Sequence, residues 1–154
     1  MTLILLEGAV DALSVYLQAN YAAKVAALNL RYGGTLVEEP KKWYLGNMPL
    51  STPESPSVVI HGGDWTPKAQ RKASLHISNA VSLVIFVGDD DVESRFRKLC
   101  RHALGIIEML QAGEASMAYV VRLVGPMALT EPMNTQPFLQ GMILPILLEQ
   151  METY

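Results

Sequence analysis

One run of alternating residues constrains this chain more than any other feature. Over residues 75–87 the apolar positions fall on odd numbers (Leu75, Ile77, Val81, Leu83, Ile85, Val87), with His76, Ser78, Ala80 and Ser82 between them. Successive side chains on a strand point to opposite faces. This alternation therefore gives one face to a core and the other to water or a partner. Fully extended, the run covers on the order of 40 Å, well beyond the usual five or six residues. A small domain does not need such a strand for its own core.

The strand ends in Gly88-Asp89-Asp90-Asp91 and turns into an amphipathic helix over residues 90–112. Val92, Phe96, Leu99, Cys100, Ala103, Ile107 and Leu110 make its expected buried stripe. Asp90 and Glu93 have capping-box spacing, and acids at a helix N-terminus complement the dipole. Asp91–Arg95 and Glu93–Arg97 are i,i+4 pairs, and Gly113 is placed to close the helix.

Upstream, residues 3–32 read as a long helix, with Leu6, Val10, Leu13, Leu17, Tyr21, Val25 and Leu28 on one stripe. Gly33-Gly34 supplies its stop, and Asn20 leaves open a break into two shorter helices. Residues 35–56 hold Pro40, Pro49, Pro53 and Pro56, which argues against any central strand there. They read as an extended arm anchored by Trp43 and Tyr44. Residues 57–61 read as a short strand, and the polar, cationic residues 62–72 as the long tip of a hairpin. Two further strands follow, over residues 117–124 and 138–149, punctuated by Gly125-Pro126 and residues 130–137. Pro145 makes the last one an edge strand or a bulge.

The fold class that satisfies both periodicities is α+β in a single domain, 1–154. It comprises an N-terminal helix region (1–34), a proline-rich arm (35–56) and a β-β-α-β-β core (57–154). Its sheet is four-stranded and largely antiparallel, packed against the long N-terminal helix and a second helix between strands 2 and 3.

Composition narrows the function classes. Apolar residues make up 50% and charged residues 18%, against roughly 25% charged in a typical soluble chain. Mean hydropathy is +0.21. A rich core explains that surplus, and so does burial against other subunits; the overlong strand favours the second. The longest apolar stretches, 3–6 and 142–148, fall far short of the roughly 18 residues of a spanning helix, so no membrane partner is expected. No basic segment precedes the first apolar residues, which argues against a secretory signal. The single cysteine, Cys100, excludes an internal disulfide and fits a reducing compartment. A net charge of −3 gives no reason to expect nucleic-acid binding. The cationic tip with Trp65 reads more plainly as a solvated loop.

No catalytic, cofactor or metal residues are assigned. Asp89-Asp90-Asp91 lacks calcium-loop spacing, and a capped helix start explains all three acids. His61, His76 and His102 do not supply a three-ligand zinc pattern with Cys100, and a thiol on a buried stripe acts as a small hydrophobe. Gly33-Gly34 and Gly62-Gly63 lack the phosphate-cradle setting, and no Gly-x-Ser-x-Gly elbow occurs. The eight methionines fit core gap-filling or an adaptable protein-binding surface.

Several local strings, in order, resemble the small neck proteins of tailed bacteriophages, the tail-terminator and head–tail joining proteins. They are the helix from Leu5-Leu6-Glu7 to Arg31-Tyr32, Trp43-Tyr44-Leu45-Gly46, and Pro56-Ser57-Val58-Val59-Ile60. Val84-Ile85-Phe86-Val87-Gly88-Asp89-Asp90-Asp91, with the arginine-spaced helix from Arg95 to Leu110, completes the pattern. The resemblance implies a non-enzymatic virion protein, made in the host cytoplasm, that forms a ring, commonly a hexamer, capping the tail tube and joining it to the head connector. Its implied partners are its own copies, the tail-tube protein, a stopper or portal-associated protein, and sheath or other neck proteins. DNA only passes through the lumen. An adaptor or stopper in the same neck is the first alternative; a small metal-dependent enzyme using Asp89 to Asp91 and a ligand-binding regulatory module come after it. The resemblance makes the hairpin tip and the arm the contact segments: Trp43, Tyr44, Trp65, Lys68, Arg71 and Lys72, with His76 on the wetter strand face.

Overall fold

A computed structural model of the protein describes residues 6–46, 54–71, 74–113, 120–135 and 137–153, with residues 6, 62–71, 74–79, 120–121 and 150–153 described by backbone path and pairing alone. The element order is α1 (Leu6–Arg31), β1 (Lys42–Leu45), β2 (Ser57–Arg71), β3 (Ser74–Gly88), α2 (Val92–Gly113), β4 (Val120–Leu123), β5 (Ala128–Leu129) and β6 (Leu139–Thr153). The strands form one six-stranded sheet in the order β1-β2-β3-β6-β4, with β5 also paired to β6.

The α+β class holds, but the expected four-stranded, largely antiparallel sheet is a six-stranded mixed one. Two local causes account for the difference. Trp43-Tyr44-Leu45 of the arm adds to β2 as a parallel strand, Lys42 opposite Ser57 through Leu45 opposite Ile60. Its edge position agrees with the prolines around it. Downstream, Gly125 (φ 78°) and Pro126 split the region after α2 into β4 and β5, which pair with successive stretches of β6.

β6 pairs with β3 along its whole length, from Ser74 opposite Thr153 to Gly88 opposite Leu139. It is therefore central, and the edge-strand reading of Pro145 is corrected. The Pro145 carbonyl accepts a bond from the Val124 amide (3.1 Å), so it faces the β4 side. A strand residue's nitrogen and carbonyl share a side, so the missing N–H also falls there, where β4 has ended and β5 has not begun.

Residues 62–71, expected as a loop, continue β2 opposite β3, with register shifts between Gly62 and Trp65 and between Ala69 and Arg71. Each shift places one extra residue on β2, as a bulge does. Beyond Ile60 this strand has no partner on its outer side among the described residues, which is where Pro67 is tolerated.

Both helices cover one sheet face. Val58 and Ile60, the odd residues Val81 to Val87, and the even residues Met142 to Leu148 meet Leu13, Leu17, Tyr21, Leu28, Leu99 and Ile106 in one buried cluster. α1 is unbroken; Asn20 donates its amide to the Tyr16 carbonyl (2.8 Å) instead of ending a helix. The opposite face carries a smaller cluster of Val59, Phe86 and Leu139, flanked by Tyr44, Val84 and Met133.

The α2 stripe is turned from the expected one. Leu99, Ala103 and Leu110 are buried as expected, but Arg95 and His102 join them inside. Val92 is 69% and Phe96 49% exposed, and Cys100 is only half-buried. Two polar residues that hydrogen-bond internally take the places that hydrophobicity assigned to others. Gly113 does not cap the helix. It is its last, buried residue, and a β-carbon there would clash with the Tyr16 ring at Cζ.

Candidate assembly surface

The long sheet outreaches its helices. β2, β3 and β6 have 15 residues each, roughly 50 Å of strand. α1, at 26 residues, covers roughly 39 Å, and α2, at 22, roughly 33 Å. The sheet is also open at both sides: β1 pairs only with β2, and β4 and β5 only with β6, among the described residues. Open edges present unpaired backbone donors and acceptors to another chain.

The expected contact residues fall into two groups. Trp43 and Tyr44 lie half-buried on β1 and anchor it from opposite sheet faces. Trp43 makes an edge contact with Tyr21 (centroids 5.7 Å apart), and Tyr44 packs on the Val59–Phe86 cluster. Trp65, Lys68, Arg71 and His76 lie along the far half of the β2–β3 hairpin, where Lys68 and His76 are register partners. Lys72 lies outside the described residues. From Ile60, beside β1, to Arg71 is roughly 35 Å of strand, so the two groups do not form one site.

Sequence reasoning missed the exposed apolar residues nearer the helices. Phe96, Cys100, Leu104 and Tyr32 line a groove of about 320 Å³ on the outer side of α2, with Arg97 and Arg101 at its rim. Arg97 pairs with Glu93 (2.7 Å), as its spacing predicts. Arg101 lies over the Tyr32 ring at 5.4 Å and reaches the Gly33 carbonyl only at 3.5 Å. A second exposed group, Leu123, Val124, Met127 and Leu129, follows the β4–β5 edge, with Glu131 exposed just beyond it. The i,i+4 spacing of Val92 and Phe96 beside arginines was the available signal, but the same spacing reads equally as core.

The aspartates at the α2 start are each engaged in local structure. Asp91 caps the helix by accepting the Ser94 amide at 2.7 Å, the role the spacing gave to Asp90. Asp90 accepts the Phe138 amide (3.0 Å) and so ties the entry of β6 to the helix. Asp89 accepts from the Asp91 amide, the Ser94 hydroxyl (2.7 Å) and Lys98 (2.9 Å). The Ser94 and Lys98 bonds hold its carboxyl down at about 2. The expected Asp91–Arg95 pair is replaced. Arg95 is buried and donates to the Asp89 carbonyl (2.8 Å) and to Gln140 Oε1 (3.1 Å).

A cavity of about 360 Å³ opens beside this cap, with Glu38, Lys41, Ser55, Lys98 and His102 in its wall. His102 Nδ1 is 2.7 Å from the Tyr21 hydroxyl, and burial, helped by Lys98, pushes the imidazole down to about 4. It is therefore neutral at pH 7 and acts as a buried hydrogen-bond partner. Burial raises the Cys100 thiol, which weakens it as a nucleophile.

Among the described residues no helix is long and apolar enough to cross a membrane. No protein-family model matches the chain, and no curated protein compared with it is detectably similar in sequence.

Proposed function

We propose that this chain is a structural protein of the tailed-phage neck, forming a ring that caps the tail tube and joins it to the head connector. It works by occupancy and shape, with no bond made or broken. The observation that carries the reading is the long sheet, open at both edges among the described residues and longer than either helix packed on it. Such a sheet suits subunits whose neighbours cover the edges, as in a closed ring. The resemblance of the local strings supports the neck as its location. An adaptor or stopper position in the same neck is the nearest alternative.

The test is native mass spectrometry of the purified protein at micromolar concentration, alone and with purified tail tubes viewed by negative-stain microscopy. The expected result is a closed oligomer, in solution or as a cap on tube ends. A strictly monomeric protein that leaves tube ends bare overturns the reading.

The cavity beside His102 favours a second reading, a small ligand-binding module. Saturable thermal stabilisation by a nucleotide or amino acid would support it, and an empty screen would remove it.

A further inference from the structure

We infer that the arginine-rimmed groove on α2 receives the β4–β5 edge of a second copy of this chain, and that this is the head-to-tail contact of the proposed ring. The inference rests on the ring reading and names the two surfaces that would carry it.

The groove side is incomplete as it stands. Phe96 is half exposed beside Tyr32, Cys100 and Leu104. The Arg101 guanidinium has no carboxylate partner among the described residues, and its Nη2 reaches the Gly33 carbonyl only at 3.5 Å. A guanidinium held over an aromatic ring and short of acceptors is well suited to a carboxylate delivered from outside.

The chain carries a matching surface elsewhere. Leu123 at the end of β4, Val124 and Met127 in the connection, and Leu129 on β5 are all exposed, and Glu131 follows them. This is an apolar strand edge with an acid at its end, against an apolar groove with a cation at its rim. The acids on and beside the groove's own helix are already engaged. Glu93 is paired with Arg97, Glu108 with Lys24 and Arg31, and Asp91 caps the helix.

The two surfaces lie on different elements, one on the helix layer and one at the sheet edge. A contact between unlike surfaces of identical chains is heterologous, and it closes into a ring when the rotation allows. An isologous dimer would instead need one self-complementary patch.

The arrangement makes a distinctive prediction for mixtures. Phe96→Ser spoils the groove and keeps the edge; Leu129→Ser and Glu131→Arg spoil the edge and keep the groove. All three positions are exposed, and circular dichroism checks that each variant is folded. Each variant alone should associate roughly tenfold or more weakly than the unaltered chain, as loss of an interface anchor does. An equimolar mixture of Phe96→Ser with Leu129→Ser should restore one intact contact per pair and give a two-chain species by native mass spectrometry, with no larger ring. Variants that assemble like the parent overturn this surface and leave the ring reading standing. Folded variants that fail to pair when mixed overturn the match between groove and edge. A parent chain that is monomeric both alone and on tail tubes overturns both.

Discussion

The Tyr21 hydroxyl and His102 Nδ1 meet at 2.7 Å in the interior and join the middle of α1 to the middle of α2. Burial raises the Tyr21 phenol and lowers the His102 imidazole, so both are neutral around pH 7. The two therefore share a neutral hydrogen bond whose direction is set by the imidazole tautomer.

That bond predicts an acid-sensitive interior. His102 titrates at about 4 in the folded protein against 6.5 for the ordinary imidazole. Between those values the unfolded chain binds the extra proton and the folded chain does not, so stability falls as pH drops from 6.5 towards 4. The loss is on the order of 3 kcal/mol once pH is below both values. Asp89 adds its own loss only below its ordinary value of 3.8, so the two windows are separate. Thermal melts from pH 7.5 to 4.5 should show the decline in the parent and a flatter profile in His102→Gln.

The cap at α2 should behave as structure. Asp91→Ala removes the acceptor for the Ser94 amide and should cost about 1 kcal/mol, read as a lower denaturant midpoint with an unchanged slope. Treating the parent with EDTA should leave its melting temperature unchanged, since each aspartate already has protein donors. A chelator-induced drop would revive the metal reading of these acids.

Gly113→Ala sets helix propensity against packing. Alanine is favoured over glycine in a helix by about 1 kcal/mol. The added methyl, however, would clash with Tyr16 Cζ, and that ring is held by its hydroxyl bond to the Met109 carbonyl (2.7 Å). Packing should win, with a net loss of about 1–3 kcal/mol. Gly33→Ala, where nothing lies within 4 Å, is the control and should be nearly neutral.

Arg95→Ala should be among the more damaging changes to α2. It leaves the Asp89 carbonyl and Gln140 Oε1 without their donor and opens space at a position only 4% exposed. A cost of about 2–4 kcal/mol is expected by urea unfolding. Arg97→Ala, an exposed ion-pair member two residues away, should cost less than 1 kcal/mol.

Local periodicity alone determined a good deal here. The alternation around Val81, Leu83 and Ile85 and the stripe from Val10 to Leu28 each describe one element and its buried face, and hydrophobic burial obeys that pattern wherever the element lies. Tertiary structure decided what depends on neighbours. Pro145 sits in a central strand because a gap between β4 and β5 falls beside it. Trp43 and Tyr44 form a strand because β2 offers a free edge. The α2 face turned because Arg95 and His102 found partners inside, among them Gln140 and Tyr21, which are distant in sequence. Phe96 was thereby left outside, and the groove it lines was legible only once the helix had been placed.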